Sequence, residues 1–232
     1  MGTTAQRART QAREVADLLA RTYPDAKCAL NYRNAFELLV ATVLSAQTTD
    51  QRVNTVTPEL FDTYPTPRDL ARGRAEDVAQ IVRPLGFHRR RSTQLVGLAA
   101  ALVEDHGGTV PATRSELQAL PGVGRKTAHV VLGNAFGHSA ITVDTHVGRL
   151  ARRLGWSTAE RPLAVERDLE TLLPDVDWTL LCHRLIAHGR AVCHSRSPEC
   201  GHCVLASLCP SACEEESTRG GARRGASRGA RQ

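Results

Sequence analysis

The chain has 232 residues, 41% of them hydrophobic and 23% charged, with a formal net charge of +6. That length accommodates one large domain or two small ones and a core that needs no disulfide staples. Composition excludes collagen-like and wholly disordered classes, no apolar run reaches the roughly 18 residues of a membrane helix, and the positive balance suits an anionic partner. The N-terminal segment MGTTAQRARTQAREVADLL has no apolar leader, which argues against secretion. The residue pattern then predicts helices in succession. AREVADLLARTYP places Val15, Leu18 and Leu19 on one face and stops before Pro24. NAFELLVATVLSAQ has Phe36, Leu39, Val40, Val43 and Leu44 at helical spacing, with Asn34 as its cap. RDLARGRAEDVAQIV, STQLVGLAAALVEDHG, TRSELQAL, KTAHVVLGNAF, DTHVGRLARRLGW and LAVERDLETLLP continue the pattern. Prolines fall between these segments or at their ends, and Gly73, Gly97, Gly133 and Gly148 fall inside them. No segment alternates with period two, so the fold class is all-α. Residues 214–232 hold no aliphatic side chain larger than Ala, with five Arg and four Gly, and are expected to form a disordered tail. That tail is either a basic arm on nucleic acid or a solvated appendage.

Five constellations carry possible chemistry. Leu120-Pro121-Gly122-Val123-Gly124-Arg125-Lys126 joins two predicted helices. Its glycines allow a tight turn, and the amides of the following helix present an anion site at the positive end of the dipole. This is a helix-hairpin-helix pattern, which grips a DNA backbone without reading bases. Lys126 at its mouth is either a phosphate contact or a nucleophile. Only Lys27 and Lys126 are lysines among thirty basic residues, and lysine, unlike arginine, can give up its proton. Asp144 follows an apolar run and precedes a helix, as an N-cap, a catalytic carboxylate, or both. Cys193, Cys200, Cys203 and Cys209 have the spacing C-x6-C-x2-C-x5-C. Only one close pair is present, which favours an iron–sulfur cluster over zinc. Cys28, Cys182 and Cys213 are left over, the first two as buried free thiols. Gln47 in LSAQTTD can enter a base stack or sit in a local turn. Phe87 tips a basic loop, His88 to Arg91, and can wedge between bases or lie on a solvated face.

Together, LSAQTTD, LPGVGRKTA, VDTH and HGRAVC with the next three cysteines resemble the endonuclease III family over roughly residues 7 to 212. The resemblance implies a helix-hairpin-helix DNA glycosylase fold. A six-helix barrel domain would span residues 28–138, and residues 1–27 with 139–213 would form an iron–sulfur domain across an interdomain cleft. It implies Lys126 as nucleophile, Asp144 as catalytic carboxylate and the four cysteines as ligands of a [4Fe–4S] cluster. Gln47 would fill the gap left by the extruded nucleotide, and Phe87 stands where the family often has an aliphatic wedge. Gly122, Val123, Gly124, Arg125 and Arg196 would meet phosphate. The implied activity is excision of oxidised pyrimidines from duplex DNA and 3′ cleavage of the abasic site by β-elimination. The implied setting is a monomer in the cytoplasm, beside the nucleoid and away from membranes. Three rivals stand beside this reading: a pyrimidine-dimer glycosylase/lyase, an adenine mismatch glycosylase, and a non-enzymatic zinc-containing DNA-binding protein. Lys126 and the short chain argue against the second.

Overall fold

A computed structural model describes residues 3–212. Cys213 and the Arg/Gly-rich segment from 214 to 232 lie outside the described residues. Eleven α-helices and no strand occur among those residues, and none of the helices is long and apolar enough to cross a membrane.

Helix α1 (Thr4–Thr22) starts well before the predicted segment, because Thr3 caps it by accepting from the Gln6 amide. It buries Ala12, Val15 and Leu19 on one stripe. Helix α2 (Ala35–Leu44) is capped by Asn34, as its sequence predicts, and is buried from Phe36 to Leu44. An all-round apolar helix belongs at the centre of a core. Against it pack α3 (Asp50–Thr63), α6 (His88–His106) and α8 (Arg125–Ala135), with α4 (Pro67–Arg72) and α5 (Ala75–Ile81) on α6 and α7 (Arg114–Ala119) on α8. Together they form one hydrophobic core, running from Leu30 to Leu132.

A second core is built from α1, α9 (Thr145–Arg153), α10 (Pro162–Leu172) and α11 (Trp178–Ala191), with Leu205 from the C-terminal loop. The two cores meet where α8 crosses α11. A Cβ on Gly133 would lie 2.3 Å from Thr179 Oγ1, so only glycine lets the helices come this close. Beside it, His183 Nε2 meets Asn134 Oδ1 at 2.8 Å. Further out, Arg190 of α11 pairs with Asp50 of α3 at 2.9 Å.

Three expectations are revised. RDLARGRAEDVAQIV is two helices, because the chain at Gly73 turns extended (φ −67°, ψ 141°), with the Tyr64 ring 2.8 Å from where its Cβ would stand. His88 to Arg91 is the first turn of α6 instead of a loop, and Arg91 is buried instead of solvated. Cys182 is a buried free thiol as expected, whereas Cys28 is only half-buried. Burial pushes the Cys182 thiol up to about 12, although the Thr142 amide donates to its sulfur.

Candidate active site and cysteine loop

A cavity of about 880 Å³ opens between the two cores. Lys126 enters it from the first turn of α8, Asp144 from the N-cap of α9, and Gln47 from the loop after α2. His146, His183 and Cys182 line the wall from the second core, and Lys27 and Cys28 line the opposite side. Both lysines of the chain therefore face one cavity. Burial holds the His146 and His183 imidazoles below the usual histidine range, so both favour the neutral form near pH 7.

The two glycines of the hairpin before Lys126 stand in different surroundings. Gly122 has φ +80°, and a Cβ there would collide with Gln94 Nε2 at 1.5 Å. Gly124 differs: its φ is −88°, and a Cβ would meet nothing within 4 Å. The fold itself makes no demand for glycine at 124, so its bare backbone suits a close approach from outside. Val123 between them is buried and anchors the turn. Gly124 caps α8 with no side-chain acceptor, which leaves the first-turn amides facing outward for an anion.

The Arg125 side chain does not point to that anion site. Its guanidinium forks onto Glu166 of α10, with Nε at 3.1 and 3.0 Å from the two carboxylate oxygens and Nη2 at 2.5 Å from one of them. Glu166 is only 5% exposed, whereas Arg125 keeps 35% of its side chain in water. The pair fastens the hairpin to the second core. Removing the two partners has unequal consequences. Arg125→Met strands a buried carboxylate and should cost about 3 kcal/mol, the low end for a broken buried pair because one partner is partly hydrated. Glu166→Leu leaves the guanidinium free to reach water and should cost clearly less. Urea unfolding of both variants measures the difference, and equal losses would refute the asymmetry.

Asp144 is both a cap and a cavity group. Its Oδ1 accepts from the Val147 amide at 2.8 Å, which fixes the carboxylate at the start of α9. Gln47 and Phe87 are two of three non-glycine residues with positive φ among those described, at 62° and 48°. Phe87 is 68% exposed and stands at the N-cap of α6. An exposed aromatic in a left-handed conformation gains nothing from packing, which points to a role outside the folded chain.

The cysteine loop is held by residues that the sequence did not single out. Arg149 and Arg153 lie on α9, the helix that Asp144 caps. Arg149 donates to the carbonyls of Gly189 and Cys193 at 3.0 Å each. Arg153 Nη1 donates to Cys193 Sγ at 3.1 Å and to the His194 carbonyl at 2.6 Å. Cys203 Sγ lies 3.4 Å from His188 Nε2. From the other end of the chain, Gln11 Nε2 donates to the Leu208 carbonyl at 2.8 Å. Arg196 is exposed in this loop, next to Ser197 with φ 49°. Among the described residues, no three His, Cys, Asp or Glu side chains converge on a point that would hold a single metal ion. The four thiols are free and half-buried, and Arg153 lies against Cys193. Four soft donors spaced along a loop of this length, one of them beside an arginine, fit a multi-iron cluster.

Comparison with known proteins gives the same picture. Residues 40–175 match the HhH-GPD superfamily of base excision DNA repair proteins. Residues 193–209, bounded by the first and fourth cysteines, match the iron–sulfur binding domain of endonuclease III. Endonuclease III of Synechocystis sp. is 49% identical over 203 residues, covering 87% of this chain and 93% of that protein. The Bacillus subtilis endonuclease III is 45% identical, covering 83% and 89%. A solved non-covalent endonuclease III–DNA complex superposes with a TM-score of 0.83 at 44% identity, covering 91% of this chain and 97% of the other. A trapped covalent endonuclease III–DNA intermediate superposes equally well. On fold, cysteine loop and sequence alike, the chain belongs to the endonuclease III family.

Proposed function

We propose that this protein excises oxidised pyrimidines from duplex DNA and cleaves the resulting abasic site through Lys126. As a member of the family it is a bifunctional base-excision-repair glycosylase and abasic-site lyase, with DNA as its partner and a [4Fe–4S] cluster as its cofactor. The observation that carries the residue assignment is the shared cavity, which brings Lys126, Asp144 and Gln47 together from three separate elements.

The damaged nucleotide must leave the stack before its C1′ is accessible, at a cost of a few kcal/mol. Phe87 wedges at the step, and Gln47 occupies the vacated space. The amides of Gly122 to Arg125 hold the backbone phosphate, with the Arg125 side chain bracing the hairpin from behind. Arg196 adds a phosphate contact from the cysteine loop. The Lys126 amine attacks C1′, and the base departs with the bonding electrons. Asp144 stabilises the cationic sugar and accepts the proton that the lysine sheds. The C1′–O4′ bond then breaks as O4′ takes up a proton, leaving a C1′=N Schiff base that acidifies the C2′ proton, whose loss expels the 3′ phosphate. Water then releases Lys126. Cys193, Cys200, Cys203 and Cys209 would ligate the cluster, which would supply a rigid support for the DNA-facing loop.

The two hydrophobic cores support a division into a barrel domain at 28–138 and a discontinuous cluster domain at 1–27 with 139–213. The protein is assigned as a monomer acting beside the nucleoid in the cytoplasm. The match of residues 193–209 to an iron–sulfur domain sets aside the zinc-containing, non-enzymatic reading. Strand cleavage on duplexes that each hold one defined lesion tests the substrate class. Cleavage is expected at dihydrouracil and thymine glycol, with a thymine dimer left intact. Cleavage at the dimer alone would replace oxidised pyrimidines as the substrate.

A further inference from the structure

Arg91 has no part in the chemistry above, yet it is 7% exposed and forms no salt bridge among the described residues. Its guanidinium is satisfied by three carbonyls instead. Nε donates to Gly86 O at 2.9 Å, Nη1 to Leu44 O at 2.5 Å and Nη2 to Ala46 O at 2.8 Å. Ala46 immediately precedes Gln47, and Gly86 immediately precedes Phe87. The Arg91 amide also donates to the Phe87 carbonyl at 3.0 Å, as part of the first turn of α6. One planar cation therefore ties together the two loops whose next residues adopt the left-handed conformation.

Burial without a carboxylate is costly for a cation, and it lowers the proton affinity of this guanidinium. Part of that cost is offset at the C-terminal end of α2, where Leu44 presents a carbonyl at the negative end of the dipole. A guanidinium reaches three acceptors in fixed directions from one plane, and an ammonium at a single point does not.

We propose that Arg91 is a positioning residue that locks the Gln47 and Phe87 loops together, so that gap-filler and wedge enter the duplex as one rigid unit. The proposal rests on the roles given above to Gln47 and Phe87. It predicts that Arg91 serves nucleotide extrusion and not the covalent chemistry.

The test uses full-length, cluster-loaded protein with Arg91→Lys and Arg91→Met. Three quantities are measured: unstacking, from 2-aminopurine fluorescence beside an abasic site; single-turnover cleavage of that site in a duplex; and cleavage of the same site in a single strand, which needs no extrusion. Both variants should lose the fluorescence rise and cleave the duplex about tenfold or more slowly. Single-strand cleavage should stay at the wild-type rate. Equal losses on both substrates would show a merely structural role and overturn the proposal. So would wild-type fluorescence and duplex cleavage in both variants. Gln47→Ala and Phe87→Ala run alongside. If these two behave as wild type, the underlying roles fail. If they are impaired while Arg91→Lys is not, the roles stand and the lock alone fails.

Discussion

Lys126→Gln is expected to abolish both borohydride trapping and strand cleavage while leaving DNA affinity nearly intact. Only a primary amine forms a Schiff base, and the amide of glutamine is not a nucleophile at C1′. Affinity should survive because the hairpin contributes backbone amides, which the substitution does not touch. Lys126→Arg keeps the positive charge and should fail equally, since guanidinium does not deprotonate in a protein. Asp144→Asn separates the two duties of that residue. Asparagine still accepts from the Val147 amide, so folding should persist. The charge is gone, so single-turnover chemistry should slow by roughly 10² to 10⁴. Wild-type cleavage by Lys126→Gln would end this mechanism. An unfolded Asp144→Asn protein would show that the carboxylate is needed for capping alone.

Cys200→Ser is the second substitution with a large expected effect. Serine replaces a soft thiolate by a hard hydroxyl, which iron–sulfur clusters tolerate poorly. Iron should fall well below about four atoms per chain. The loop around it has little core of its own: among the described residues from 193 to 212, only Leu205 is a buried hydrophobic. Its remaining supports are the Arg149 and Arg153 bonds, the Cys203–His188 contact and the reach of Gln11 from α1. Without the cluster the loop should become protease-sensitive and DNA binding should weaken, while Lys126, on the other core, still traps abasic DNA at high protein concentration. Cys182→Ser should keep its iron, since that thiol is buried on α11 outside the loop. Full iron content in Cys200→Ser would remove Cys200 from the ligand set.

The sequence made the chemistry more legible than the helices. LPGVGRKTA and the four-cysteine spacing are local patterns, and their meaning lies within a few residues. Helix α3 escaped because DQRVNTVTPELFDT is polar and carries Pro58, which removes one helical bond yet is tolerated when Val53, Val56, Leu60 and Phe61 are buried. Helix α11 escaped because its two arginines and two histidines dilute the apolar stripe of Leu181, Cys182 and Leu185. Arg91 read as part of a solvated charge run because two of its three acceptors lie 47 and 45 positions upstream. Nothing local distinguishes it from Arg89 or Arg90. The Arg125–Glu166 pair is hidden for the same reason, being 41 residues apart. Pairings of that span are set by the fold, and a single chain records them only as two unremarkable charged residues.

The place of α1 has a consequence for how the molecule is made. Ala12, Val15 and Leu19 pack against residues from Ile141 to Leu205, with the whole first core encoded in between. During synthesis α1 therefore leaves the ribosome long before its partners. Its apolar stripe must wait while α2 to α8 complete a core that does not include it. Closing so long a loop adds little to the equilibrium cost, which grows only with the logarithm of loop length, but it slows the search. The second core is completed only when Leu205 emerges, within the loop whose thiols are assigned above to the cluster. Completion of the second core and loading of the assigned cluster loop therefore draw on the same segment of the chain.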